Sequence, residues 1–143
     1  MDELVSTFGN SMRQLSESKF ETGTADEFTI ILIGGKPLFY YDSGELIPTL
    51  RGALELELKT PTVVVDAGAV RYMAKGADVM CPGIVKADPS IREGDLVIIT
   101  EESHGKPLAI GRALMPGEAM KAESGKAIKS IHYVGDKLWN IDI

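Results

Sequence analysis

The stretch from Asp66 to Gly83, DAGAVRYMAKGADVMCPG, constrains the fold of this chain more than any other. Val63-Val64-Val65 before it signals a short buried strand. Asp66 is placed to cap a helix through its carboxylate. Ala67 to Lys75 supplies that helix, with Val70, Met73 and Ala74 on its apolar side, and Gly76 suits the left-handed conformation that ends it. Val79 to Cys81 reads as a strand stopped by Pro82-Gly83. The segment specifies much backbone shape and holds no catalytic constellation, which points to a surface built to receive something.

Two readings of its start stay open. The backbone N–H groups at Asp66–Ala69, among small residues, suit a phosphate; alternatively Asp66 caps the helix and the small residues let it pack. Arg71 and Lys75, four apart, share a helix face. Lys121, Lys126, Lys129 and Lys137 add cations further on. They form either a solvated face or a modest cationic groove for one RNA element. Tyr72, His132, Tyr133 and Trp139 offer stacking surfaces, with core packing the default for at least two.

The charge distribution restrains the RNA reading. The net charge of −6 argues against nonspecific nucleic-acid binding, which needs a cationic surface. Residues 1–60 hold five Lys/Arg against ten Asp/Glu, or −5; residues 61–143 hold ten against eleven, or −1. A local basic face is therefore expected in the C-terminal part.

Along the rest of the chain, Leu4, Phe8, Met12 and Leu15 recur at helical spacing and predict an amphipathic helix over 3–17. Phe28–Ile33 and Pro37–Tyr41 flank Gly34-Gly35 as a hairpin. Residues 48–58 read as a short helix with Pro48 in its first turn, or as a strand toward the end. Lys59-Thr60-Pro61 marks a domain boundary. Beyond it, strands are expected at 84–86, 95–100, 107–114 and 127–134, with Gly111 a bulge or close-approach point. A short helix or turn is expected at 115–124. This spacing favours a small mixed or barrel-like sheet.

Reactive chemistry is sparse. The two histidines, His104 and His132, and the single Cys81 are too few and too scattered for a metal site. Cys81 reads as a small buried apolar residue. Gly34-Gly35-Lys36 is followed by a strand, unlike a phosphate-binding P-loop. An acidic start without an apolar run, and the absence of a bilayer-length apolar stretch, set the expectation of a cytoplasmic chain with no membrane partner.

VVVDAGAVRYMAKGADVMCPGI resembles the opening of a PUA domain, an RNA-binding module. GDLVIIT, PLAIGRAL and GKAIKSIHYVGDKLW follow in the order that module requires. GADVMCPG with HYVGDKLW is similar to the malignant T-cell amplified sequence family and its archaeal, ligatin-related relatives. That family also has an N-terminal pre-PUA domain, whose end GKPLFYYDSGELIPTL resembles; the likeness covers about residues 28–140.

The resemblance implies an α+β fold: a small pre-PUA domain over 1–60, then a PUA pseudo-barrel of short mixed strands with one or two short helices over 61–143. It implies RNA binding without catalysis or cofactor, through Gly68, Ala69, Arg71, Lys75, Gly76, Ala77, Met80, Pro82 and Gly83, with Arg112 and Lys129 as outer positions. The RNA would be tRNA or small-subunit rRNA, in initiation or recycling. The small ribosomal subunit and a density-regulated-type protein would be partners. A competing reading is an adaptor whose barrel docks a protein without RNA, motivated by the acidic first sixty residues. An enzyme is disfavoured by the lack of an acid/base or nucleophile set.

Overall fold

The computed structural model describes residues 2–25 and 27–141, without the side chain of Asp2. The chain divides into two compact units, Met1–Lys59 with Asn140–Ile143, and Thr60–Trp139.

The first unit begins with α1 (Asp2–Phe8) and a 3-10 turn (Asn10–Leu15). The expected apolar face is present: Leu4, Phe8, Met12 and Leu15 are all buried. The expected continuous helix is not. Gly9 takes φ 106°, outside the helical region, and breaks it in two. Four strands follow: β1 (Phe20–Ala25), β2 (Phe28–Ile33), β3 (Lys36–Asp42) and β4 (Glu45–Pro48). They form one antiparallel meander in sequence order. The predicted β2–β3 hairpin turns on Gly34 and Gly35, both at positive φ, as a tight primed turn demands. β1 was not legible as a strand. The expected helix at 48–58 shrinks to α2 (Leu50–Glu55), because Pro48 ends β4. Thr49 caps α2 instead, accepting from the Gly52 N–H at 3.0 Å and donating to the Pro37 carbonyl at 2.7 Å.

The second unit starts with β5 (Thr62–Val65). After a 3-10 turn (Ala67–Ala69) come α3 (Val70–Met73), β6 (Val79–Met80) and a 3-10 turn (Cys81–Gly83). The remaining strands are β7 (Ile84–Ala87), β8 (Leu96–Glu101), β9 (Pro107–Ala113) and β10 (Lys126–Tyr133). Their order is β6-β10-β9-β8-β5-β7, with β5–β8 parallel and the other pairs antiparallel. This mixed sheet curls into the nearly closed pseudo-barrel that the resemblance implied. Val63, Val65, Val97, Ile99, Ala109 and Ile128 fill its interior. At 115–124 the chain makes a 3-10 turn (Gly117–Ala119).

Gly111 is the close-approach point anticipated from sequence. A Cβ there would lie 2.4 Å from Ile128 Cγ2 and 3.0 Å from the Lys129 carbonyl oxygen. Gly111→Ala is expected to lower stability by about 1–3 kcal/mol, read by thermal melting. The β8–β9 turn is tied by buried Glu101, whose carboxylate accepts from the N–H groups of Ser103 (2.7 Å) and His104 (2.6 Å). Burial opposes its ionisation, but the backbone donors of His104, Lys106 and Ser103 outweigh it and hold the carboxyl below the usual glutamate range. A depressed acid stabilises the fold above its unfolded value and loses that contribution as pH falls through the folded one. Glu101→Gln should therefore lower the melting temperature at pH 7, with the gap to the parent closing below about pH 4.

Candidate functional site

The chain leaves β5 at Val65 and returns to β7 at Ile84, and the segment between them forms a groove of about 490 Å³. Asp66, Gly68, Ala69, Tyr72, Met73, Ala77, Asp78, Val79, Met80, Pro82 and Gly83 line it. One wall is closed by the Asp66 N–H donating to the Gly83 carbonyl at 3.0 Å.

Local chemistry accounts for this shape. The Asp66 carboxylate accepts from the Ala69 N–H at 3.0 Å, and the Glu102 carboxylate accepts from the Ala67 N–H at 3.3 Å. These backbone donors are therefore engaged by carboxylates, so the geometry favours the cap over the phosphate-site alternative. Gly76, at φ 84°, accepts the left-handed turn that ends the helix. Its missing Cβ also admits the Tyr133 ring, which would otherwise lie 2.9 Å away.

Six of the residues expected from sequence line the groove: Gly68, Ala69, Ala77, Met80, Pro82 and Gly83. Their side chains are small or apolar, and Met80 is 47% exposed. Gly76 stands behind the wall, against Tyr133. Arg71 and Lys75 lie on the exposed surface outside the lining. Arg71 stacks over the Tyr72 ring, 5.0 Å from its centroid, and donates to the Tyr72 hydroxyl at 3.1 Å. Lys75 follows α3 in the turn. Arg112 on β9 is half-buried and donates to the Gly94 carbonyl at 3.1 Å. Its β10 neighbour in register is Lys129.

Sequence reasoning placed cations in the groove, whereas its lining carries two carboxylates, Asp66 and Asp78. Asp78 accepts from the Ser130 N–H at 2.8 Å and pairs with Lys126 Nζ at 3.1 Å. Burial works against its ionisation, but the Ser130 N–H, Lys126 and the more distant Lys129 hold the carboxyl below the usual aspartate range. Lys126 is thus a cation fixed at the groove edge; it stands among the lysines of the possible cationic groove but outside the set the resemblance implies. The lysine cluster near the C-terminus was its sequence signal; the antiparallel β6–β10 pairing that sets Lys126 opposite Met80 is what brings it here.

Of the four aromatic candidates, Tyr72 is 52% exposed within the groove. Trp139 is exposed outside the lining, and Tyr133 packs against Gly76. His132, 1% exposed, sits with Nδ1 2.8 Å from Asp136 Oδ2 and is a core residue. Cys81 is buried, with Sγ 3.7 Å from Met115 Sδ. Among the described residues, no three His, Cys, Asp or Glu side chains are grouped to hold a metal ion. The groove thus offers an aromatic face, a flexible thioether, and acceptors at Asp66 and Asp78, with cations on its outside.

Comparison with known proteins follows this architecture. Residues 61–134 match the family model of the PUA domain. An uncharacterized protein of Methanocaldococcus jannaschii is 44% identical over 141 residues, spanning 98% of this chain and 82% of that protein. Translation machinery-associated protein 20 of Saccharomyces cerevisiae is 35% identical over 125 residues, 82% of this chain and 69% of its own. Malignant T-cell-amplified sequence 1-B of Xenopus laevis is 31% identical over 122 residues, 81% and 67%. A solved structure of a hypothetical protein from Pyrococcus horikoshii superposes with a TM-score of 0.84 at 38% identity, covering 96% of this chain and 89% of that one. A chain of an H/ACA RNP bound to a substrate RNA superposes with a TM-score of 0.53 at 27% identity, covering 66% of this chain and 28% of its own.

Removing the cap tests the groove's local construction. Asp66→Ala should cost about 1 kcal/mol in denaturant unfolding, with the Ala69 amide losing hydrogen-exchange protection.

Proposed function

The chain belongs to the PUA-domain family, and from that premise we propose that it is a non-catalytic RNA-binding protein of the translation machinery. In this reading the Asp66–Gly83 groove receives an unpaired stretch of a structured RNA, either tRNA or small-subunit rRNA. A base stacks on Tyr72 against Met80. Gly68, Ala69, Ala77, Pro82 and Gly83 allow the strand to approach the backbone closely. Arg71, Lys75, Lys126 and Lys129 meet phosphates from outside the groove, with Arg112 further along the same surface.

The observation that carries the reading is the exposed Tyr72–Met80 face inside a shaped groove with cations at its margin. Single-stranded RNA is held by this division of labour: bases stack on flat or polarizable side chains while lysines and arginines follow the backbone. Support also comes from relatives named for the translation machinery and from the partial likeness to a chain of an RNA-bound particle. The small number of cations, in a chain of net charge −6, fits recognition of one RNA element. A cytoplasmic place beside the small ribosomal subunit, in initiation or recycling, follows from the same reading. A density-regulated-type protein would then raise the effective concentration of RNA and site.

A salt titration of binding to tRNA and to small-subunit rRNA fragments tests this. With three or four phosphate contacts, log K should fall against log salt with a slope of about −2 to −3. Arg71→Ala or Lys126→Ala should each flatten that slope by about 0.7. Tyr72→Ala should weaken binding by about 1–3 kcal/mol and leave the slope unchanged. Absence of binding at low salt, or indifference to all three substitutions, would overturn the proposal.

A further inference from the structure

The sheet of the first unit has two edges of different character. β4 is short, ends in Pro48, and buries Leu46, Ile47 and Pro48. β1 is the opposite edge, and most of its residues are exposed. Phe20 and Thr22 stand in register with Ile33 and Ile31 of β2, so they share the sheet face that carries the helical layer. Ile33 is buried in the core with Leu4 and Phe8, yet Phe20 remains 41% exposed. The core face of the sheet therefore runs on uncovered at β1. Strand edges are ordinarily blunted by charged side chains, proline or bulges; FETGTA has neither lysine nor proline, and Glu21 is its one charge.

A cleft of about 230 Å³ runs across this face from β1 to Leu46 of β4, beneath the start of α1. Its apolar wall includes Leu4, Phe20, Ile31 and Leu46, and Glu3 and Glu21 supply its charge. The surrounding residues 1–60 carry a net charge of −5. An open strand edge with one exposed aromatic, Phe20, in this negative field selects against a second copy of the same unit, which would bring Glu21 and its neighbours against like charge. It suits an extended segment of opposite sign.

We propose that the outer edge of β1 is a docking site for an extended protein segment in which lysine or arginine alternates with apolar residues. The segment adds to the sheet as a fifth strand. Its backbone pairs with β1, its apolar side chains cover Phe20, and its cations lie on the opposite face beside Glu21. The site is separate from the RNA groove and stands whether or not the groove binds RNA.

The test uses the full chain and a short capped peptide alternating lysine and valine, with a glutamate–valine peptide as control. Amide exchange within β1 should slow about tenfold when the lysine peptide is about ten times above its dissociation constant. The glutamate peptide should leave it unchanged. Glu21→Lys, on an exposed position, should abolish the protection without altering the melting temperature; Thr22→Pro, which blocks pairing more directly, should do the same. Three outcomes would overturn the proposal: no protection of β1 at millimolar lysine peptide, equal protection by the glutamate peptide, or protection that rises with protein concentration alone and sediments as a dimer.

Discussion

The placement of β5 between β8 and β7 is the constraint on which the second unit depends. β5 runs parallel to β8 through Thr62–Ile98 to Val65–Glu101 and antiparallel to β7. Val63 and Val65 are thereby sealed in the barrel, and a parallel pair requires the chain to cross over before it can return. The chain crosses to β8 only after β7; the segment from Asp66 to Gly83 joins β5 to β7 over the surface of the filled barrel, and its short helix and turns become the groove.

The groove owes its chemistry to a balance between opposite charges. Asp66 is engaged as a cap, while Asp78 is held ionised by Ser130 and Lys126. The cavity itself offers aromatic, thioether and small apolar surface. Cations are displaced to its margin, where Arg71 backs the Tyr72 ring. In the proposed reading, such a site suits a flat, unstacked base better than a phosphate and leaves phosphate contacts to the surrounding surface. This arrangement is consistent with an acidic chain that recognises one shaped element.

The groove was largely legible in sequence because its lining is contiguous, from Asp66 to Gly83. The cap at Asp66, the stop at Gly76 and the turn at Pro82-Gly83 are local signals, and local signals survive into the fold. What was misread came from distant strands. Gly76 looked like a point of close RNA approach, but Tyr133 of β10 occupies the space its missing side chain leaves. Lys126 reaches the groove only through the β6–β10 register. In the first unit, the Leu4–Leu15 periodicity located a buried face correctly, while Gly9 decided that the face is built from two pieces. β1 escaped notice because FETGTA has no alternating apolar pattern, a direct consequence of its exposed edge position. Pro48, expected in the first turn of a helix, ends β4 instead, and Thr49 performs the capping.

The central claim is that the Asp66–Gly83 groove holds RNA by contact with Tyr72 and Met80. Methyl resonances of methionine report it most directly, since Met73 and Met80 line the groove while Met12 and Met120 are buried elsewhere. Titration with tRNA and with small-subunit rRNA fragments should shift or broaden the Met80 and Met73 methyl signals for at least one RNA, leaving Met12 and Met120 in place. Saturable RNA binding with Met73 and Met80 unmoved would contradict the account.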